Sequence, residues 1–194
     1  MKVLLSSILA FLLAAISLTA SASTQDIHGV KVEDKTDVMG AKLQLNGAGT
    51  RYRVVAKVYV AALYAGKKAS TLDELVNQPG PKRLSITMLR DIDANEFGKL
   101  LTRGMEDNNP KAEMSKLIPG LIKMSQFFSE YKKLSAGDSF SIDWVPGAGT
   151  VIAIKGKTQD VQFKEPEFYK ALMAIWLGPV PADFKLKDAL LNIK

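Results

Sequence analysis

Five residues in one short stretch carry most of the chemistry visible in this sequence: Arg51, Arg53, Lys57, Tyr59 and Tyr64. Arginine offers a planar fork of N–H donors and tyrosine adds a single donor, a combination that suits a carboxylate sheltered from water. The stretch Arg51–Tyr64 is rich in valine, tyrosine and alanine and reads as one long strand. Strand side chains alternate between faces. Tyr52, Val54, Ala56, Val58, Val60, Ala62 and Tyr64 then share an apolar face that belongs in a core. Arg51, Arg53, Val55, Lys57, Tyr59, Ala61 and Leu63 share the other, cationic in its first half and apolar in its second. With helices over that second face, Arg51, Arg53, Lys57 and Tyr59 sit at the mouth of an apolar space, which is what a fatty-acid carboxylate requires. The alternative for the same pattern is a solvated strand end with an interfacial tyrosine.

Other chemistries are excluded or weakly supported. There is no cysteine, so disulfides, thiolate metal sites and cysteine nucleophiles are excluded. A single histidine, His28, rules out a multi-histidine metal centre and argues against a histidine-based triad. No cofactor motif and no specific catalytic constellation is present. Asp91 and Asp93 are close enough in sequence to pair, but Asp93 is placed to cap a helix. Met105, Met114, Leu121, Met124, Phe127 and Phe128 recur at roughly helical spacings; they serve either as a deformable wall for an acyl chain or as ordinary core.

These residues need elements to hold them. Ser23–Asp37 is polar, an arm or a short edge strand. Lys42–Asn46 alternates as a strand, and Asn46-Gly47-Ala48-Gly49 reads as the turn that closes it. Thr71 opens a short helix to about Gln78 with Glu74 three residues on, the capping-box pattern. Lys82–Leu89 alternates as a strand. Asp93 with Glu96 starts a helix to about Asn108, and a second helix runs from about Ala112 to Leu134, started or kinked in part by Pro119. Phe140–Val145 and Thr150–Lys155 form a hairpin across Pro146–Gly149. Val161–Phe163 reads as a further short strand. Pro166 opens a helix to Leu177, stopped by Gly178-Pro179, and Lys185–Asn192 is a last short helix. The order argues for an α+β fold with a largely antiparallel sheet covered by helices.

The first 22 of the 194 residues resemble a removable export signal: Lys2, an apolar run from Ile8 to Ile16, then Ala20-Ser21-Ala22. Cleavage after Ala22 predicts a periplasmic or secreted protein of bacterial type, with residues 23–194 as a single domain. The apolar run is too short to be a stable membrane span, the competing reading being an uncleaved anchor. A chain of this size, 47% hydrophobic, builds a core without a metal or disulfide. The net charge of +6 is spread in pairs such as Lys67-Lys68 and Lys132-Lys133. A nucleic-acid binder shows a basic stripe with interleaved aromatics, so no nucleic-acid partner is expected.

Several segments together resemble the chalcone isomerase-like family. They are Asn46-Gly47-Ala48-Gly49-Thr50-Arg51, Lys57 through Tyr64, Asp143 through Val151, and Ala174–Gly178 followed by Pro181-Ala182-Asp183 and Leu190-Leu191. The resemblance covers most of the chain after the export segment. It implies an open-faced β-sandwich, a large antiparallel sheet with helices layered on it. The family holds plant enzymes that close a chalcone to a flavanone and relatives that bind fatty acids. Arg51 matches the arginine of both, and Tyr59 resembles the fatty-acid binders, with Tyr64 as a competitor for that position. Phe97 stands where the enzymes carry tyrosine and Gly104 about where they carry asparagine. The resemblance therefore implies a binder of a fatty acid or similar amphiphilic carboxylate, with Arg51, Tyr59, Lys57, Arg53, Tyr64 and Phe97 as its ligand-binding residues. An intramolecular lyase or isomerase and a ligand-free periplasmic interaction module are the two alternatives.

Overall fold

The computed structural model describes residues 23–159 and 163–193; the first 22 residues, read above as an export signal, and Val161 and Gln162 of the expected short strand lie outside them. Strands β1 (Thr24–Ile27), β2 (Val30–Glu33), β3 (Lys35–Val38), β4 (Ala41–Arg53) and β5 (Ala56–Ala65) come first, followed by helix α1 (Leu72–Asn77) and strand β6 (Lys82–Met88). Next come β7 (Ile92–Asp93), α2 (Ala94–Asn108), α3 (Lys111–Ser129) and β8 (Lys133–Leu134). The chain ends with β9 (Ser139–Val145), β10 (Gly149–Ile154), β11 (Lys157–Thr158), α4 (Pro166–Leu177) and α5 (Phe184–Leu191). Seven strands form one antiparallel sheet in the order β11-β10-β9-β6-β5-β4-β3. The expected α+β architecture, a large antiparallel sheet with helices layered on it, is present.

Strand β5 lies in the middle of the sheet and is buried on both faces, as its two-sided apolarity requires. Tyr59, Ala61 and Leu63 face the helices and join a core containing Ile86, Phe128 and Trp176. Val60, Ala62 and Tyr64 face the opposite way and pack with Val32, Leu43 and Val145. That second face is covered by the β1–β2 hairpin through Ile27 and Val30 rather than by helices. Helix α4 anchors the helical layer, with every residue from Ala171 to Leu177 buried. Each large apolar side chain so buried contributes roughly 1.5–3 kcal/mol.

The expected single strand from Arg51 to Tyr64 is in fact a hairpin. β4 continues through Asn46–Gly49 with a bulge at Asn46, and the chain reverses at Val54-Val55, between the paired residues Arg53 and Ala56. The glycines misled because they serve close approach rather than a turn. A Cβ on Gly47 would lie 2.0 Å from the Ala189 carbonyl oxygen, and one on Gly49 would lie 2.7 Å from the Ala189 Cβ. Only bare backbone lets α5 sit this close to β4. Asn46 is buried beside them, its side-chain amide donating to the Ala69 and Leu190 carbonyls. The true turn carries no turn chemistry: Val54 has φ 58, where a hairpin of this length normally places glycine.

Other boundaries also moved. The second long helix stops at Ser129, and Lys133-Leu134 instead pairs with Ile92-Asp93 as a small ladder. Pro119 lies inside α3. Ser23–Asp37 is not a loose arm but supplies β1, β2 and most of β3. Phe163 makes an isolated bridge to Thr150. Thr71 and Asp93 cap their helices as read, accepting from the backbone of Glu74 and Glu96.

Candidate functional site

The hairpin brings Arg51 and Tyr59 together more directly than one strand could. They are opposed across the β4–β5 ladder, and the register slips at this point, so that Tyr52 faces Lys57 and Val58 is the extra residue. Such a bulge re-aims side chains, and here Val58 lines a cleft of about 460 Å³ between the β4–β5 end, α2 and α4. Its walls include Ile92, Leu100, Leu101, Ile175 and Pro181, and Tyr59, Trp176 and Arg51 lie among its lining residues. Arg53, Arg90 and Arg103 also line it, together with Asp93, Glu96 and Asp107.

Tyr59 is buried, and the Trp176 indole Nε1–H donates to its phenol oxygen at 2.9 Å. Burial pushes the phenol up to about 12, against the opposing pull of the Trp176 hydrogen bond and the Arg51 charge. The group therefore stays protonated throughout the physiological range. With its oxygen already accepting from Trp176, its own O–H is left to donate.

Arg51 lies beside the Tyr59 phenol and is held through Nη1. This nitrogen donates to the Tyr52 carbonyl at 2.6 Å and lies 3.7 Å from Asp183 Oδ2. Asp183 is itself fixed, accepting from the Tyr52 backbone N–H at 3.0 Å and from that of Leu186 at 3.2 Å as the cap of α5. It steers the guanidinium without saturating it, and the Arg51 side chain keeps 25% of its exposure. The arrangement can neutralise one carboxylate, donate a further hydrogen bond from Tyr59 and shelter an attached apolar chain.

The other expected site residues divide. Arg53 and Phe97 line the cleft. Phe97 does so as core: its ring meets Tyr59 at 6.4 Å, Phe128 at 5.6 Å and Phe140 at 5.4 Å, all edge to face. Lys57 is not among the lining residues and points to the β1–β2 turn, its Nζ 3.1 Å from His28 Nδ1. Tyr64 is on the opposite face of the sheet, donating to the Glu33 carbonyl at 3.0 Å. Burial and the nearby Glu33 carboxylate push its phenol up to about 12 as well. At Gly104 a Cβ would meet Ile175 Cγ2 at 2.9 Å, so α2 and α4 leave little room there for any side chain. Met105, Met124 and Phe128 are core residues, and none of the methionines lines the cleft.

Trp176 and Asp183 were not singled out from the sequence. A tryptophan in the wholly apolar Ala171–Leu177 stretch of a helix needs a partner for its indole N–H, which is a readable signal. Asp183 shows only the cap pattern and gives no hint that it reaches Arg51.

A family profile described as chalcone isomerase-like matches residues 24–192. Among solved structures, the chain is similar to a fatty-acid binding protein of Arabidopsis thaliana, with a TM-score of 0.67 and 13% identity, over 88% of this chain and 96% of that one. No curated protein matches the sequence significantly.

Proposed function

Because the chain belongs to the chalcone isomerase-like family, we propose that it is an exported, non-enzymatic binding protein for a fatty acid or similar amphiphilic carboxylate. One observation carries this reading: Arg51 and Tyr59 are cross-strand neighbours in a cleft that also presents an apolar wall of Val58, Leu101, Ile175 and Trp176. A carboxylate placed there meets the free side of the guanidinium and the phenol O–H, while its chain lies along Val58, Leu101 and Ile175. Burial without that cation would be strongly unfavourable. The similarity in fold to the Arabidopsis fatty-acid binder supports the same ligand class. The export reading rests on the N-terminal segment, and it places the protein in the periplasm or outside the cell.

Phe97 and Gly104 speak against isomerase chemistry. A phenyl ring cannot orient a water or a phenol, and the close contact of Gly104 with Ile175 disfavours an amide at that position. Native mass spectrometry of protein purified from its own compartment, with extraction of bound lipid, tests the binding reading. A stoichiometric fatty acid in wild type that is lost in Arg51→Ala is the expected result. A clean ligand-free mass in both would sink it and favour an interaction module. Turnover of a chalcone above the buffer rate would restore the enzyme reading.

A further inference from the structure

The turn that closes the β4–β5 hairpin is costly as a piece of structure. Val54 and Val55 are 93% and 88% exposed, and Val54 has φ 58, a conformation that β-branched residues rarely adopt. Neither side chain joins either core cluster. Hairpins of this length normally place asparagine, aspartate or glycine here, and those residues would relieve both the strain and the exposure.

The surroundings indicate what the tip meets. Arg53 and Lys57 flank it in the chain, both exposed. The Leu89 N–H donates to the Val58 carbonyl at 2.9 Å, which brings Arg90 to the same end. Among the described residues none of these three cations forms an ion pair with a carboxylate. Of the acids nearby, Asp26 accepts from the Gly29 N–H in the adjoining turn, Asp183 from Tyr52 and Leu186, Asp93 from Glu96, and Asp91 pairs with Lys133, while Glu96 and Asp107 line the cleft on its α2 side. Arg53 and Arg90 also line the cleft, so the tip and the cleft mouth are one continuous surface.

We propose that the Val54–Val55 tip is a membrane-docking wedge for an anionic phospholipid surface, and that it sets the cleft mouth against the bilayer from which the amphiphile is drawn or to which it is delivered. Two apolar side chains projecting between unpaired cations match the interfacial pattern of an apolar insertion ringed by basic contacts to headgroups. Two valines alone anchor weakly, so the interaction is reversible and salt-sensitive, as a carrier requires. The inference rests on the binding reading for its cargo, but the docking itself does not.

Sedimentation with vesicles of phosphatidylglycerol and phosphatidylcholine, against pure phosphatidylcholine, tests it on the mature protein. Binding is expected to the anionic vesicles only, and to be lost at about 0.5 M salt. Lys57→Glu should weaken it roughly fivefold or more. Val54→Gly with Val55→Ser is the sharper variant. Glycine fits φ 58, so this protein should melt at a higher temperature than wild type while its vesicle binding falls and its extracted ligand is unchanged. Vesicle binding that survives this pair, or no binding to anionic vesicles at low salt, overturns the proposal. The second outcome would leave a protein partner as the occupant of the tip. Loss of ligand in Arg51→Ala with vesicle binding intact separates a failure of docking from a failure of the pocket.

Discussion

Each face of the central sheet carries an arginine, a tyrosine and an aspartate, and the two trios differ in one respect. On the β1–β2 side, Arg83 forms a two-pronged pair with Asp143 at 2.7 and 2.6 Å and also donates to Thr36 and the Asp37 carbonyl. Its neighbour Tyr64 is satisfied by the Glu33 carbonyl. On the helical side, Arg51 has a single long contact to Asp183, and Tyr59 receives a hydrogen bond from Trp176 but keeps its own proton for use. The same three residue types form a closed, structural cluster on one face and an open, cleft-facing one on the other. Residue type does not separate a strut from a binding group; unspent hydrogen-bonding capacity does.

Four substitutions and one titration test that contrast. Arg83→Ala strands Asp143, which is almost fully buried, and should lower stability by about 3 kcal/mol in urea unfolding while leaving ligand affinity unchanged. Arg51→Ala should do the reverse, weakening fatty-acid binding in a displacement assay by ~2–5 kcal/mol with a stability change under about 1 kcal/mol. Equal stability losses in the two variants would dissolve the distinction between the trios. Tyr59→Phe should weaken binding by about 1.5–3 kcal/mol, the worth of a hydrogen bond to a charged acceptor. Tyr64→Phe should lower stability by about 1 kcal/mol and leave binding alone.

The titration reads the same two phenols. Both phenols have folded values near 12, raised from the ordinary 10.0, so between these values the folded chain retains protons that the unfolded chain releases. Their contribution is therefore complete below pH 10 and declines as pH rises towards 12, by up to about 1.4 kcal/mol per pH unit for each group. Melting temperature measured from pH 8 to 11 should be flat at first and then fall, less steeply in Tyr59→Phe. A fall above pH 10 that is as steep in Tyr59→Phe as in wild type would contradict burial of the phenol.

Whereas the pairing of Arg51 with Tyr59 was implied only by the family resemblance, the sheet and the helix caps at Thr71 and Asp93 were legible in the sequence because alternation and capping are local. The strand reversal was not. Gly47 and Gly49 resemble turn residues, but the reason for them lies in Ala189, about 140 positions along the chain. The actual reversal uses two valines, the residue type that best disguises a turn as a strand. The tether of Arg51 to Asp183 and the lock of Tyr59 by Trp176 were hidden for the same reason. Both are contacts between segments more than a hundred residues apart, and no local pattern encodes them.

The seating of α5 on β4 also constrains timing. Asn46 closes onto the Leu190 carbonyl, Gly47 and Gly49 accept the helix backbone, and Asp183 just ahead of that helix steers Arg51. A chain that emerges from its N-terminus, whether from a ribosome or through a translocation pore, holds both long strands well before it holds their clasp. Its cleft therefore cannot be completed until the segment from Asp183 to Leu191 is free, and a product cut short before Asp183 would carry Arg51 without the part that aims it.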